Sequence, residues 1–161
     1  MKDATLCLLI KKSPAKEILL AMKKRGFGIG KWNGVGGKID KEKGDKSIID
    51  AAIRETKEEI GVDLINPEKV ALLRFRFPYN KDWDQDVHVF LTSNWQGEPQ
   101  ESEEMAPKWF KVNDIPYQEM WDDDKFWLPH VLVGKKLEAN FIFKEGEIIA
   151  APPHIHFVRS I

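Results

Sequence analysis

The chain has a single cysteine, Cys7, among 161 residues. That excludes an internal disulfide, and a lone thiol inside an apolar run suits a reduced compartment. An excess of either charge is also missing. Charged residues make up 32% of the chain, yet the formal net charge is -1. A strongly basic grip on nucleic-acid polymer is therefore not indicated. Long apolar runs are absent. The longest candidate, residues 4–10, is too short to cross a membrane and carries no cleavage-site pattern. No internal repeat, low-complexity tract or linker is present. What is there is 42% hydrophobic, enough for one domain with a real core. The expectation is one domain over residues 1–161, a cytoplasmic monomer with no membrane or nucleic-acid polymer as partner.

Residues 47–62 read as a helix. Ser47 before Ile48, with Asp50 three positions on, has the form of a capping box. Gly61 fits a helix stop. Helical spacing then brings Glu55, Glu58 and Glu59 onto one face. A bare helix disfavours this. Like charges at i, i+4 cost about 0.2–0.5 kcal/mol, and the dipole disfavours each anion in the last turn by about 0.3–1 kcal/mol. A hard divalent cation reverses the sign, because Mg²⁺ takes carboxylate oxygens together with substrate phosphate oxygens. Two readings stand: a solvated acidic face diluted by Arg54 and Lys57, or a face that holds metal.

Around this helix the chain reads mostly as strands. Residues 5–10 and 17–22 form a hairpin across a turn containing Ser13-Pro14. Residues 70–79 alternate, with Phe75 and Phe77 on one face and Arg74 and Arg76 on the other. Further strands are expected at residues 86–92 and 108–112, with a terminal hairpin over residues 141–149 and a short strand at residues 154–158. A second helical region opens after Asn113, and a further helix near residues 121–127. His88 is given no metal role, and no zinc site is expected at His154 and His156.

Several polar groups have two readings each. Lys23, Lys24 and Arg25 are either solvated strand-end charge or a phosphate contact. Asn33 serves turn chemistry or reads a base edge. Asp122, Asp123 and Asp124 cap a helix. Alternatively, two adjacent carboxyls share a site and differ in protonation, so that one accepts from a purine edge and the other donates to it. Trp121 beside them offers a flat stacking surface.

Gly37, Arg54-Glu55, Glu58-Glu59, Gly61 and Val62 resemble the Nudix box, G-x5-E-x7-R-E-U-x-E-E-x-G-U, with U a bulky aliphatic residue. The loop before Arg54 is three residues longer than the pattern, and Lys46 stands eight before the arginine where the pattern has glutamate. Glu42 and Asp45 are the two candidates for that carboxylate, which in the family orients the arginine. Thr56 stands at the first aliphatic position. Beyond the box, residues 22–28, residues 31–38, Asp86-Val87-His88, residues 101–105 and Trp121 with Asp123-Asp124 are similar to the oxidised purine nucleoside triphosphate hydrolases. The resemblance implies an α+β Nudix fold, an α/β/α sandwich with a central mixed sheet flanked by helices. It implies hydrolysis of 8-oxo-dGTP or 2-hydroxy-dATP to monophosphate and pyrophosphate, with Mg²⁺ as cofactor and Mn²⁺ as the alternative metal. It carries over Arg54, Glu55, Glu58 and Glu59 as catalytic residues, with Glu59 ahead of Glu101 as general base. Gly36, Glu55, Glu58, Glu59 and Glu101 become the metal set. Thr5, Lys23, Phe27, Asn33, Gly37, Lys38, Trp121, Asp123 and Asp124 become the substrate set. Asp122 replaces a family proline, and Gln85 replaces an apolar residue of the animal-type enzymes. The alternatives are a Nudix hydrolase of another nucleoside diphosphate derivative, or a non-catalytic nucleotide-sensing module.

Overall fold

In the computed structural model, residues 2–161 are described. Strand β1 (Lys2–Lys11) is buried without a break from Ala4 to Ile10. An unbroken apolar run is what a strand covered on both faces requires. Ala4, Leu6, Leu8 and Ile10 enter one core cluster, while Cys7 and Leu9 enter a second on the other face. The remaining elements are β2 (Glu17–Lys23), β3 (Trp32–Asn33), α1 (Ile48–Ile60), β4 (Asp63–Leu64), β5 (Glu68–Arg76), β6 (Gln85–Thr92), β7 (Trp95–Gln96), β8 (Met105–Lys111), α2 (Asp124–Leu132), β9 (Lys136–Lys144), β10 (Ile148–Ile149) and β11 (His154–Val158).

The main sheet runs β10-β9-β5-β6-β1-β2-β3, with β11 added on β9 and β8 on β2. It is mixed: β1 lies parallel to β6, and β5 parallel to β9, while β5 and β6 are antiparallel. The fold is therefore α+β, as expected. Trp127, Leu128, Val131 and Leu132 of α2 pack into the first cluster; Ala52 and Ile60 of α1 pack into the second. No helix among the described residues is long and apolar enough to cross a membrane.

The site is created where β1 and β2 part. They pair only at Ile10↔Ile18 and Lys11↔Glu17. β8 holds the other edge of β2 along its whole length, and β3 takes the edge that β1 has left, at Ala21↔Asn33 and Met22↔Trp32. The chain then crosses to β1. Val35 exchanges hydrogen bonds with Cys7, and Thr5 N donates to Gly37 O at 2.7 Å. A Cβ on Gly36 would lie 1.9 Å from Thr5 O, so no side chain fits there.

Helix α1 ends as its sequence indicates. Ser47 Oγ accepts from Asp50 N, and Gly61 stops the helix at φ 74°. Asp50 Oδ2 accepts from Lys46 N, one residue before the cap. Thr56, at the aliphatic position, is fully buried, and its hydroxyl donates to Ala52 O at 2.8 Å. That bond is why a polar residue is tolerated there. Elsewhere the expectations shift. The segment after Lys111 forms two 3₁₀ turns, Val112–Asp114 and Tyr117–Glu119, rather than a helix, and α2 begins only at Asp124. The strand expected at residues 108–112 starts earlier, at Met105, because it lines up with all of β2.

Replacing Gly36 by alanine should force this crossing segment off β1. A loss of about 1–3 kcal/mol is expected, the usual range for overpacking, read as a lowered urea midpoint at unchanged slope.

Candidate active site

The long loop before α1 settles which carboxylate meets Arg54. Asp45 takes the guanidinium in a two-point fork, Nε to Oδ1 at 2.9 Å and Nη2 to Oδ2 at 2.7 Å. Glu42 does not reach it; its backbone N–H instead donates to Asp40 Oδ1. Asp45 is held in turn by Asp40 N at 2.8 Å, and its side chain is 2% exposed. The Arg54 hydrogen bonds hold the Asp45 carboxyl below the usual aspartate range. Arg54 also donates to Lys38 O, Glu55 Oε1 and Glu58 Oε2. It therefore fastens the glycine segment, the loop and two helix glutamates together.

Of the three helix glutamates, Glu59 is the distinctive one. Its Oε2 is buried without a partner among the described residues. Burial first, then the neighbouring Glu55 charge, push its carboxyl up to about 8, against the pull of Lys23. A solvated acidic face does not describe this group. Glu55 lies against the glycine segment, since a Cβ on Gly37 would fall 2.5 Å from its carboxyl carbon. Glu58 is exposed and turned to Arg54 and to Lys43, at 3.1 and 3.5 Å. Glu101 is paired with Lys24. Among the described residues, no three His, Cys, Asp or Glu side chains are gathered as a metal site. The Glu55–Glu59 pair, with its unpartnered buried oxygen, nonetheless suits a divalent cation. Glu58 and Glu101 would first have to leave their present partners.

The three basic residues at the end of β2, Lys23, Lys24 and Arg25, divide. Lys24 pairs with Glu101, and Arg25 with Glu103 and Glu104. Lys23 instead lines a cavity of about 480 Å³. That cavity brings together every residue of the expected substrate set: Thr5, Lys23, Phe27, Asn33, Gly37, Lys38, Trp121, Asp123 and Asp124. Gly36 lines it as well; the helix glutamates do not. Thr5 Oγ1 bonds Gly37 at both its N and O, 3.1 Å each. Asn33 Oδ1 accepts from Gly34 N at 2.9 Å, so its turn role is present while the side chain also faces the cavity.

Asp123 and Asp124 are 2% and 3% exposed. Asp123 Oδ2 accepts from Trp127 Nε1 at 2.7 Å, whereas Asp124 Oδ2 is buried with no partner among the described residues. Burial raises both carboxyls, and the Asp123 charge raises Asp124 further. The two carboxyls titrate as one coupled pair, and burial favours its protonated form. Asp123 precedes α2 but makes no side-chain capping bond. Capping is instead not its role; Trp127 is its partner.

Sequence reasoning missed Glu104, whose charge acts on Glu59, and Trp83, which lines the cavity. It also missed Trp127, although its position one helical turn beyond Asp123 was a usable signal.

The NUDIX domain profile matches residues 2–131. The chain belongs to the Nudix family. This Nudix chain is 42% identical over 132 residues to an oxidized purine nucleoside triphosphate hydrolase of Danio rerio, covering 82% of each chain. A protein of the same name from Mus musculus is 39% identical over 149 residues, covering 92% of this chain and 93% of that one. The MutT protein of Bacillus halodurans shares the fold, with a TM-score of 0.81 at 23% identity, covering 96% of this chain and 97% of that one.

Two outcomes follow for this Nudix chain. Asp45→Ala removes the two-point fork from a half-buried guanidinium that keeps Lys38 O, Glu55 and Glu58, and should cost about 1–3 kcal/mol, while Glu42→Ala should stay within about 0.5 kcal/mol; urea denaturation of both variants checks this. A raised acid keeps its proton in the folded state after the unfolded chain has released it. Metal-free stability should therefore fall as pH rises from the ordinary glutamate range to about 8, and Glu59→Gln should flatten that slope.

Proposed function

We propose that this Nudix chain is a divalent-metal-dependent diphosphatase that hydrolyses oxidised purine nucleoside triphosphates, the class of 8-oxo-dGTP and 2-hydroxy-dATP, to monophosphate and pyrophosphate. One observation carries the reading. A buried pair of adjacent aspartates, with one oxygen unpartnered among the described residues, lines the same cavity as Asn33, Lys23 and Gly37, and Gly37 abuts Glu55. The names of the relatives from Danio rerio and Mus musculus support it. The reading carries with it a single-domain monomer acting on the free nucleotides of the cytoplasm.

In this reading Asp124 donates a hydrogen bond to the base and Asp123 accepts one, with Asn33 supplying a further donor and acceptor. A base with the wrong pattern leaves buried groups unpaired, at about 1–3 kcal/mol per group. Phe27 and Trp121 cover the ring, and Thr5 fixes the Gly37 backbone beside it. Lys23 and Lys38 take phosphate charge. Mg²⁺, or Mn²⁺ in its place, would be held by Glu55 and Glu59, with Gly36, Glu58 and Glu101 completing the set, and would neutralise phosphate charge and acidify a bound water. Glu59 takes the proton of the attacking water, with Glu101 the second choice for that task. Arg54 positions Glu55 and Glu58 without touching the reacting atoms.

Pyrophosphate release with Mg²⁺ from 8-oxo-dGTP, 2-hydroxy-dATP, dGTP, dATP, dCTP and ADP-ribose tests the reading. A kcat/KM at least about tenfold higher for a modified purine is expected, corresponding to one mispaired buried group, with loss of turnover in excess EDTA. Equal rates for modified and normal purines would remove the sanitising role. Tight binding without turnover in either metal would identify a nucleotide-sensing module.

A further inference from the structure

Trp83 lies in the connection between β5 and β6, which carries a 3₁₀ turn, Lys81–Trp83. That connection is fastened at several points. Asp84 Oδ1 accepts from Phe77 N at 2.7 Å, Trp83 N donates to Asn80 O at 3.1 Å, and Lys2 Nζ donates to Asp82 O at 2.6 Å. The indole is packed edge-on against Phe77 and Tyr79, with centroids 5.7 and 5.9 Å away. It is only half-buried, and it lines the cavity. On its cavity side it meets Phe27 at 5.1 Å, and Phe27 meets Trp121 at the same distance. Two indoles thus flank one phenyl ring. Phe27 itself is 45% exposed and sits between Gly26 and Gly28, both in the left-handed region.

We propose that Trp83 is a substrate-contacting residue that binds the purine ring. With Trp121 it forms a two-indole clamp, and Phe27 is the wedge that an entering base displaces or stacks upon. This rests on the purine reading of the same cavity. The physical grounds are general. A fixed indole with ring surface open to a cavity offers a stacking face at little entropic cost, and a flat bicyclic base gains more from it than a ringless ligand does. Lys2 and Asp84 fasten the backbone that carries Trp83, and Phe77 and Tyr79 pack against the indole, so its ring is fixed beside the cavity.

Isothermal titration of the full chain with 8-oxo-dGMP, and with pyrophosphate in Mg²⁺ as the ringless probe, tests it. Trp83→Leu keeps an apolar cover over Phe77 and removes the flat face. It should weaken 8-oxo-dGMP binding by about tenfold, within the range for loss of one stacking partner, and leave pyrophosphate binding unchanged. Trp83→Phe should restore most of the loss. Unchanged 8-oxo-dGMP affinity in Trp83→Leu, or equal weakening of both ligands, would overturn the clamp. If the wild type ignores 8-oxo-dGMP but binds dGMP or AMP, the oxidised-purine function fails while the clamp is tested with the purine that binds. Failure to bind any purine monophosphate would overturn the clamp.

Discussion

Backbone lies on backbone where the segment of Gly36 and Gly37 crosses onto β1, and nothing larger than hydrogen fits between them. Two features of the molecule depend on that contact. On one side the segment fills the gap left by the parting of β1 and β2, and so closes the wall of the cavity. On the other it sets Gly37 against the carboxyl of Glu55. The cavity and the acidic helix face are thereby held a single residue apart, although they come from distant parts of the chain.

Arg54 is the counterpart of this contact on the helix side. Its five donors are spread over Asp45, Lys38 O, Glu55 and Glu58. A planar, always-charged fork can satisfy several partners at fixed angles, which lysine cannot. Two of the glutamates that repel one another are held in this way, and the third, Glu59, is left half-buried with a raised proton affinity. The acidic face that looks unfavourable on an isolated helix is stabilised by one arginine, and its remaining unsatisfied oxygen is where a cation would act.

Local signals in the sequence reported what local physics decides. The cap at Ser47, the stop at Gly61, the two-faced burial of β1 and the alternation of Phe75 and Phe77 all follow from spacing and residue type. The resemblance beyond the box brought together residues from Thr5 to Asp124 that share one cavity. What stayed hidden was partner choice. Lys46 could not show that Asp45 rather than Glu42 would reach Arg54, because the extra loop residues decide the geometry. The acidic run at residues 101–104 gave no sign that Glu101 would be held by Lys24 while the Glu104 charge acts on Glu59. Trp83 carries no periodic signal at all; its place at the cavity shows only once the β5–β6 connection meets Phe27, which is distant in sequence. The short 3₁₀ turns before α2 differ little in composition from a helix start, so residue type alone does not separate the two.

In the proposed function two tasks are separate: the glutamates on α1 would act on the bond, and the Asp123–Asp124 pair would select the base. The most direct measurement is kcat/KM for 8-oxo-dGTP relative to dGTP in Glu59→Gln and Asp124→Asn. Glu59→Gln should lower kcat for both substrates by about 10²–10⁴-fold and leave their ratio nearly unchanged. Asp124→Asn should shift the ratio by about tenfold, as expected for one mispaired buried group. A shifted ratio in Glu59→Gln, or an equal loss for both substrates in Asp124→Asn, would contradict the separation.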